Sequence, residues 1–317
     1  MRRLKDFGTS ILRHASIQLV KFKVKPPPTI RENGISVTIR VKNEAEWIKY
    51  CLLSFKDFAD EIIIADNGST DGSVELIKDF MANHPEINIK FYDRSADTYL
   101  EISNFVLQKT RYRWVMRVDG DFIAKTSGNF NILKLRRRVL QLDPNTYYGI
   151  RLNVILLYVD FFHTHKEIPI NKEYYLFTYS LDLQCYRKGR YSDIFFIPIY
   201  YKLLDFTEPF IFHLNIKNKA KELERRYLTR WFLEGNNRPL LSYIKERIKL
   251  DFGTDSLEDA AENILRIYFE KCVPFNPTLY DGYPEILKPF IDNPPYKIIY
   301  DENGKIKTRI EPESNLK

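Results

Sequence analysis

Short apolar runs alternate with helix-patterned stretches over the first half of the chain. Apolar runs bounded by turn-forming residues are typical of buried strands, and apolar residues three and four apart are typical of amphipathic helices. Strand–helix alternation with short connections predicts βαβ units, and hence a mainly parallel sheet with helices on both faces. The predicted strands are 35–41, 61–65, 87–91 and 114–118, and the predicted helices run from 43 or 44 to about 58, over 73–81 with Ser69 or Thr70 as its cap, over 101–110 and over 133–142.

The pattern loosens after residue 121. Residues 147–159 and 174–186 are predicted to be strands of a mixed sheet. Asn303-Gly304, between two short apolar runs, predicts a hairpin turn. We therefore expect a helical C-terminal extension that ends in a hairpin. Its predicted helices are 218–234, 240–250 and 256–271, the last capped by Ser256.

Residues 1–22 have the pattern of a basic amphipathic helix. Such a helix could lie on a membrane surface or dock on the body of the protein, and the pattern favours neither. Pro26-Pro27-Pro28 ends the pattern and predicts a stiff spacer. The apolar positions at helical spacing are Leu4, Phe7, Ile11, Ala15 and Phe22.

The composition is that of an ordinary soluble globular protein, with 44% apolar and 29% charged residues among 317. This length suits one large domain with additions, or two domains. Cys51, Cys185 and Cys272 are far apart and form no Cys-x-x-Cys pair, which argues against a zinc ribbon and fits a reducing compartment. No apolar stretch resembles a signal sequence or a membrane span. The expected location is therefore cytoplasmic.

The net charge of +7 is concentrated in two basic segments. Residues 1–25 contain seven basic and one acidic side chain, and residues 216–249 contain ten basic and four acidic ones. Such segments attract anionic membrane surfaces, although for 216–249 a solvated helix face is the slightly favoured interpretation. Peripheral contact with the inner face of a membrane is the open alternative. No nucleic-acid-binding motif is present, so we expect no nucleic-acid partner.

Two acidic clusters follow predicted strands, at the carboxyl ends where open α/β sheets bind ligands. The first is the stretch 66–72, Asp-Asn-Gly-Ser-Thr-Asp-Gly, and the second is Asp119-Gly120-Asp121. In an extended chain Asp119 and Asp121 point to the same face. Their hard oxygen donors suit Mg²⁺ or Mn²⁺ holding a diphosphate. Each cluster alone is also a common turn sequence, and the first is neither an EF-hand loop nor a P-loop.

The order and spacing of these motifs resemble the GT-A glycosyltransferases of the large family-2 group. The resemblance is close over residues 34–125 and looser to about 235. It implies a Rossmann-like GT-A fold, a basic N-terminal extension at 1–33, a glycosyltransferase domain at 34–235 and a C-terminal extension at 236–317. Ser103 stands where the family often has Arg, so a basic contact to the nucleotide is missing there or supplied elsewhere. The matching stretches are 40–45, 66–71, Asn104 and 114–121.

The resemblance implies roles for the matching residues. Val41, Glu44 and Asn104 would lie at the nucleotide, and Asp66 would bond to its base. Asp119 would contact the ribose or a metal ion, and Asp121 would bind the metal. The expected cofactor is Mn²⁺ or Mg²⁺, with a nucleotide sugar as the donor substrate. His213, before a basic helix, would be a third metal ligand or a diphosphate contact.

The implied reaction is a metal-dependent transfer, with inversion, from the nucleotide sugar to a hydroxyl group of a glycan, a lipid-linked sugar or a protein. Inversion needs a general base to take the proton of the acceptor hydroxyl. Among Asp182, Asp193 and Glu208 we favour Asp193, which is predicted to lie in a turn. His163 and His165, at strand spacing, are interpreted as structural residues or part of an acceptor cleft.

Two other functions compete with this hypothesis. A sugar-nucleotide nucleotidyltransferase normally has a Gly-rich phosphate loop after its first strand, and residues 40–44 contain no glycine. A non-catalytic nucleotide- or polyanion-binding protein would have a degenerate site. The presence of both Asp119 and Asp121 argues against that.

Overall fold

The computed structural model describes residues 2–21, 31–188, 192–235 and 238–312. The chain divides into two compact units. The first comprises Met1–Ile155, Ile170–His213 and Pro284–Ile286, and the second comprises Leu156–Pro169, Leu214–Tyr283 and Leu287–Lys317. Residues 214–235, which the sequence-based division assigns to the glycosyltransferase domain, thus lie in the second unit.

The secondary structure follows in chain order. The helices are α1 (Arg2–Lys21), α2 (Ile48–Phe55), α3 (Ser73–Asn83), α4 (Tyr99–Lys109), α5 (Ile132–Leu140), α6 (Lys219–Leu233), α7 (Leu240–Phe252), α8 (Leu257–Phe269) and α9 (Lys288–Asp292), with 3₁₀ turns at Pro277–Tyr280 and Glu285–Leu287. The strands are β1 (Ile35–Val41), β2 (Glu61–Asp66), β3 (Ile89–Asp93), β4 (Trp114–Asp119), β5 (Phe122–Ala124), β6 (Tyr148–Tyr158), β7 (His163–His165), β8 (Ile170–Thr178), β9 (Gln184–Lys188), β10 (Ser192–Phe196), β11 (Lys202–Asn215), β12 (Cys272–Pro274), β13 (Lys297–Tyr300) and β14 (Ile306–Ile310).

The first unit is built on an eight-stranded mixed sheet of order β3-β2-β1-β4-β8-β6-β11-β5. The strands β3, β2, β1 and β4 are parallel neighbours. β8 runs antiparallel to both β4 and β6, and β11 runs antiparallel to β5. The predicted α/β class with a mixed sheet is confirmed. Because parallel strands end on the same side, the loops that carry both acidic clusters emerge at one end of the sheet.

β2 is buried over its whole length because both faces of the sheet are covered there. Ile62 and Ile63 are fully buried, although successive strand residues point to opposite faces. On one face Ile63 and Ala65 pack against Ile102 and Val106 of α4. Burial on both sides explains the continuous apolar run from which this strand was predicted.

Two predicted helix starts are wrong. α2 begins at Ile48 instead of 43 or 44, because the intervening residues form a loop that bonds to the loop after β2. α3 begins after Gly72, which has a φ of +90° and provides no side-chain cap. Ser69 and Thr70 are therefore not the cap. Their polar groups bond to the loop after β1 instead.

The stretch 174–186 is two strands instead of one. β8 ends at Thr178 and β9 begins at Gln184, outside the large sheet. β9 pairs with β10, which places Asp193 opposite Arg187 in a strand instead of the predicted turn. The apolar pattern continues across the break because both segments pack against the same body, so it does not reveal the turn.

β11 is a long strand that the pattern does not predict. Its first half is mostly exposed, and Pro209 lacks the N–H group that a central strand normally uses. Only the apolar residues 210–212 indicate a buried element. The pairing of β11 with β5 places His213 directly opposite Phe122.

The predicted N-terminal helix is present as α1, and a basic side chain makes its described contact with the body. The Arg13 guanidinium donates to the carbonyl oxygens of Tyr201 at 2.9 Å and Pro198 at 3.3 Å. The predicted spacer at 26–28 lies outside the described residues. None of the described helices is both long enough and apolar enough to cross a membrane. Among the α1 side chains that the structure describes, the large apolar ones of Ile11, Leu12 and Leu19 are at least half exposed.

The second unit contains the predicted C-terminal helices. α6, α7 and α8 pack around a shared apolar core that includes Tyr227, Tyr243 and Ile264. Ser256 caps α8 by accepting a hydrogen bond from Asp259 N at 3.1 Å, as predicted. β13 and β14 form the predicted hairpin.

Glu61, at the start of β2, is a buried carboxylate that couples folding to pH. It accepts hydrogen bonds from Ser36 Oγ at 2.7 Å and Arg111 N at 2.6 Å, and Lys90 Nζ lies 3.3 Å away. Burial by itself would raise the pKa of Glu61. These partners outweigh it and hold that pKa below its ordinary value of 4.5.

Acid is therefore expected to destabilise the fold through Glu61. A carboxylate with a depressed folded pKa stabilises the protein above its unfolded pKa, and the stabilisation is lost as the pH falls through the folded value. In urea titrations the free energy of unfolding should decline as the pH drops below 4.5, and this decline should be smaller in Glu61→Gln. The exposed Glu302→Gln is the control. An equal decline in Glu61→Gln and in the unsubstituted protein would contradict this account.

Candidate functional site

The loops after β1 and β2 are bonded to each other. Asn43 has a φ of +56°, a left-handed conformation that asparagine tolerates better than most residues. These bonds hold the start of the first loop out of helical geometry and fix both loops at the end of the sheet. The contacts are Asn43 N to Ser69 Oγ at 2.9 Å, Thr70 N to Asn43 Oδ1 at 2.8 Å, Glu44 N to Ser73 Oγ at 2.8 Å and Ala45 N to Asp71 Oδ2 at 3.1 Å.

Asp66 organises the turn that follows β2. Its carboxylate accepts hydrogen bonds from Gly68 N at 2.8 Å, Ser69 N at 2.9 Å and Ser69 Oγ at 2.5 Å. Next to it, Asn67 N donates to the carbonyl oxygen of the fully buried Val41 at 2.9 Å. Asp66 and Val41 thus shape the site from within, and their contacts with a nucleotide stay predictions.

Asp119 and Asp121 do not share an extended segment. β4 ends at Asp119, and the chain turns at Gly120 and Asp121 before β5. The two aspartates were expected to point to the same face of an extended segment. This expectation was wrong, because residues 119–121 form a tight connection between two strands. The Asp119 carboxylate is one-third exposed and lies 3.6 Å from the Arg40 guanidinium. The Asp121 carboxylate is almost fully buried.

His213 lies beside Asp121. Its Nε2 atom is 3.3 Å from Asp121 Oδ2, and its ring centroid is 5.0 Å from that of Phe122. The antiparallel pairing of β11 with β5 causes this proximity, since it aligns His213 with the residue that follows Asp121. The structure thus brings together two of the three predicted metal ligands.

The buried Cys51 thiol reports the negative potential of the site. Its Sγ atom lies 3.6 Å from the carbonyl oxygen of Asp119. Burial raises the pKa of Cys51, and the charges of Asp121, Asp119 and Glu44 raise it further. The thiol therefore stays protonated. Three carboxylates, one in the loop after β1 and two at the end of β4 and in the turn that follows, thus give the surroundings of this thiol a negative potential.

Gly120 allows Glu44 to lie against the connection between β4 and β5. A Cβ atom at Gly120 would be 3.0 Å from Glu44 Cγ and 3.2 Å from Glu44 Cβ. The Glu44 side chain occupies the space that a side chain at residue 120 would need. Because residue 120 is glycine, the loop after β1 can pack closely against the turn between β4 and β5.

Gly120→Ala is expected to destabilise the protein by about 1 kcal/mol through overpacking against Glu44. Urea titration measures the change. The matched control is the same substitution in a Glu44→Gly background, which lacks both of the contacting carbon atoms, so the penalty should largely disappear. Equal penalties in the two backgrounds would show that the close packing of Glu44 is not the cause.

Arg40 is a site residue that the motif comparison did not assign. From β1 its guanidinium donates to Ser103 Oγ at 2.9 Å, lies 3.6 Å from the Asp119 carboxylate and stands 5.7 Å from the Tyr99 ring centroid. A basic group thus reaches Ser103, the position where the family often has Arg. A charged residue near the end of an apolar strand is the signal that could have identified it.

Arg117, on β4, is a second basic residue of this region. Its guanidinium lies 3.1 Å from Glu173 Oε2 and 4.9 Å from the Tyr175 ring centroid. Burial opposes the charge of Arg117, but Asp119, Tyr175 and Glu173 together raise its pKa above the ordinary value. Arg117 is therefore a fixed positive charge that partly balances Asp119.

Asn104 uses both ends of its amide on the backbone of Cys185. Asn104 Nδ2 donates to Cys185 O at 3.1 Å, and Cys185 N donates to Asn104 Oδ1 at 2.8 Å. This reciprocal pair attaches α4 to β9. A contact between Asn104 and a nucleotide stays a prediction.

The candidates for the general base have different surroundings. Asp182 accepts a hydrogen bond from Tyr200 Oη at 2.7 Å, and Glu208 is ion-paired with Arg138. Asp193 lies on β10 opposite Arg187. Its role as the base stays a prediction.

No cluster of three or more metal-binding side chains occurs among the described residues. Asp121 and His213 form a pair, and the contact described for Asp119 is with Arg40. Any metal held here would therefore need further oxygen donors from a ligand or from water.

Comparison with known proteins identifies the segment that carries the acidic clusters. Residues 36–133 match the model of glycosyl transferase family 2. The glycosyltransferase SunS of the SPbeta prophage of Bacillus subtilis is 32% identical over 103 residues, which cover 32% of this chain and 24% of that protein. The poly-beta-1,6-N-acetyl-D-glucosamine synthase of Staphylococcus epidermidis is 30% identical over 105 residues, or 32% and 25% of the two chains. The matched region thus spans about a quarter of each of these relatives.

Solved structures give a weaker likeness. S. aureus TarS 1-349 in complex with UDP-GlcNAc has a TM-score of 0.43 and 12% identity, covering 88% of this chain and 98% of that one. The mannosyltransferase PcManGT from Pyrobaculum calidifontis, in complex with GDP-Man and Mn²⁺, has a TM-score of 0.40 and 13% identity, covering 82% and 85%. Such scores do not by themselves establish a common fold. The sequence comparison agrees with the family resemblance, since residues 36–133 of this chain match the model of glycosyl transferase family 2.

Proposed function

We propose that this protein transfers a sugar from a nucleotide-sugar donor to a hydroxyl group of a glycan, a lipid-linked sugar or a protein. The observation that carries the proposal is the Asp121–His213 pair, which lies next to Asp119 and Glu44 at the end of the parallel strands. Glu44, Asp119 and Asp121 lie within the segment that matches the family-2 model, and His213 lies outside it. The relatives' names, a glycosyltransferase and a poly-N-acetyl-glucosamine synthase, agree with the reaction class.

The residues present fit a divalent metal ion. Asp121 Oδ2 and His213 Nε2, 3.3 Å apart, offer one carboxylate oxygen and one imidazole nitrogen, a donor set that Mn²⁺ accepts. The diphosphate of the donor would supply further oxygens, and Asp119 is a third candidate. When bound, the metal would neutralise charge that develops on the leaving diphosphate.

The chain's own residues would position the donor and activate the acceptor. The Arg40 guanidinium, 3.6 Å away, would hold the Asp119 carboxylate toward the ribose or the metal, and the charge of Arg117 would add to the positive potential around it. Glu44 and Val41 would border the nucleotide, with Asp66 and Asn104 holding their loops in place. In a single displacement with inversion, Asp193 would take the proton of the acceptor hydroxyl.

A donor screen tests the proposal. The full chain is incubated with a panel of nucleotide sugars and Mn²⁺ or Mg²⁺, and release of nucleoside diphosphate is measured. We expect metal-stimulated release with at least one donor. Absence of release with every donor, together with unchanged nucleotide binding in Asp121→Ala, would refute the assignment.

The N-terminal helix supports a further part of the proposal, a peripheral contact with an anionic membrane surface on the cytoplasmic side. Arg13 holds α1 to the body while Ile11, Leu12 and Leu19 stay exposed on a basic helix. Apolar side chains on a basic helix bind the interface of anionic bilayers.

Flotation with vesicles that contain phosphatidylserine measures this contact. Deletion of 1–25, or substitution of serine for Ile11, Leu12 and Leu19 together, should abolish flotation. The control is Leu181→Ser, which removes an apolar side chain that is 85% exposed elsewhere on the first unit. Unchanged flotation after the deletion would contradict membrane binding by this helix.

A further inference from the structure

Glu173 is a half-exposed carboxylate on β8 that lies at the same end of the sheet as Asp119. β8 runs antiparallel to β4, and the pairing of Met116 with Leu176 places the first residues of β8 beside the last residues of β4. The Arg117 guanidinium, two residues before Asp119, lies 3.1 Å from Glu173 Oε2. The Glu173 side chain is 47% exposed, whereas that of Arg117 is only 14% exposed. Arg117 thus holds one side of a carboxylate that stays accessible.

A β-bulge in β8 lies next to Glu173. The strands β6 and β8 pair on either side of Tyr175, which is the extra residue on β8. Such bulges redirect neighbouring side chains and are frequent next to active sites. The Arg117 guanidinium contacts both sides of this irregularity, since it lies beside Glu173 and 4.9 Å from the centroid of the Tyr175 ring.

Tyr175 connects this part of β8 to the proposed metal ligands. Its fully buried ring packs edge-on against the ring of Phe122, with centroids 5.5 Å apart. The Phe122 ring lies in turn 5.0 Å from that of His213, and Phe122 directly follows Asp121. The start of β8, with Glu173 two residues before Tyr175, therefore borders the region beside the Asp121–His213 pair.

The inner partners of Glu173 leave it able to accept further hydrogen bonds. Arg117 Nη2 lies beside Oε2, and Asn171 Nδ2 donates to Oε1 at 3.3 Å. Asn171 Nδ2 also donates to Tyr175 Oη at 2.9 Å, which joins the carboxylate to the bulge. An ionised carboxylate has about four lone-pair sites on its two oxygens. Hydroxyl groups of a ligand can therefore donate to Glu173 from its exposed side.

Stability alone does not account for this arrangement. Arg117 Nε is buried and has no hydrogen-bond partner among the residues that the structure describes. A buried donor without a partner costs free energy, and replacement of a buried ion pair by apolar residues is often neutral or stabilising. The charges of Arg117 and Glu173 at the ligand end of the sheet therefore point to a role in binding.

We propose that Glu173 binds hydroxyl groups of the sugar in the nucleotide-sugar donor and holds that sugar beside the diphosphate. This inference rests on the proposed function, in which a diphosphate at Asp121 and His213 places the attached sugar next to β8. Sugar hydroxyls are hydrogen-bond donors, and bonds to an ionised acceptor are stronger than bonds between neutral groups. Arg117 and Asn171 position the carboxylate from the inside.

Calorimetric titration of the full chain in the presence of Mn²⁺ tests this binding. The probes are UDP, GDP, UDP-GlcNAc, UDP-glucose and GDP-mannose. In Glu173→Ala the affinity for the nucleotide sugar that binds best should fall about tenfold or more, while that for the matching nucleoside diphosphate should change less than about twofold. The matched control is Asp205→Ala, which removes a 49% exposed carboxylate from an ion pair with Arg151 and should change neither affinity.

The nucleoside diphosphate distinguishes a contact with the sugar from an indirect effect. If Glu173 acted only by fixing Arg117 and Asp119, its removal would weaken the nucleoside diphosphate and the nucleotide sugar equally, and this result would overturn the sugar contact. Unchanged affinity of Glu173→Ala for every nucleotide sugar would overturn it as well. A thermal melt shows whether the variant is folded, and Glu173→Gln, which keeps the size of the side chain, replaces it if it is not.

Failure of this inference is distinguishable from failure of the proposed function. Metal-stimulated release of nucleoside diphosphate by the unsubstituted protein, together with either of the contradicting results, overturns the role of Glu173 and leaves the proposed function standing. If the unsubstituted protein neither binds any nucleotide sugar nor releases a nucleoside diphosphate from it, both are overturned.

Discussion

Replacing Asp121 by alanine is expected to lower the turnover of the nucleotide sugar by about a thousandfold. The metal ion that would neutralise the charge on the leaving diphosphate then loses a ligand. Asp121 is almost fully buried and lies 3.3 Å from His213. Of the two side chains proposed to bind the metal, the variant keeps only His213. Nucleoside diphosphate release, measured at saturating donor and Mn²⁺, gives the rate.

The matched control is Asp205→Asn. Asp205 lies on β11, the strand that carries His213, but its half-exposed carboxylate is ion-paired with Arg151. Its removal should change turnover less than twofold, and it should change the free energy of unfolding by only about 0.2–1 kcal/mol, the usual contribution of an exposed ion pair. A thermal melt of both variants separates loss of function from loss of folding. Turnover in Asp121→Ala within about tenfold of the unsubstituted rate would exclude Asp121 from the chemistry.

Asp66→Ala is expected to destabilise the protein by about 3 kcal/mol, because it leaves partly buried backbone donors without their charged acceptor. The carboxylate accepts hydrogen bonds from Gly68 N, Ser69 N and Ser69 Oγ, and Asp66 is 2% exposed. Urea titration measures the loss. Donor binding should weaken as well, since the same turn is bonded to the loop after β1.

Asp93→Ala is the control for this prediction. Asp93 is the register partner of Asp66 at the end of the neighbouring strand β3. It is exposed and accepts a hydrogen bond from Ser95 N at 3.0 Å. Its loss should cost less than about 1 kcal/mol. Equal costs for Asp66→Ala and Asp93→Ala would show that the buried bonds of Asp66 do not hold the turn.

The parallel half of the sheet is predictable from local pattern. β1, β2 and β4 are buried on both faces, so their sequences are mainly apolar, with a continuous apolar run in β2, and they end at polar turn residues. The first and last residues predicted for each of these three strands agree with the structure to within one residue. The antiparallel half is less predictable, because β8 and β11 have exposed stretches and interruptions that resemble loops.

The site shows the same limit. The order of the motifs identifies Asp66, Asp119 and Asp121. It does not reveal that the Asp66 carboxylate accepts hydrogen bonds within its own turn, or that the chain bends at Gly120. The proximity of His213 to Asp121 depends on the pairing of β11 with β5, which joins distant parts of the chain. Local periodicity contains no information on such pairing. The hydrogen bond between His163 Nε2 and Tyr300 Oη likewise joins β7 to the β13–β14 hairpin, which is distant in the sequence.

The central claim is that Asp121 and His213 form part of a metal-assisted diphosphate site. Calorimetric titration of UDP and GDP into the full chain, with and without Mn²⁺, tests it most directly. At least one nucleotide should bind tighter with Mn²⁺, and the effect should disappear in both Asp121→Ala and His213→Ala while Asp205→Asn retains it. Binding of equal affinity with and without Mn²⁺, or a Mn²⁺ effect that survives both substitutions, would contradict the claim.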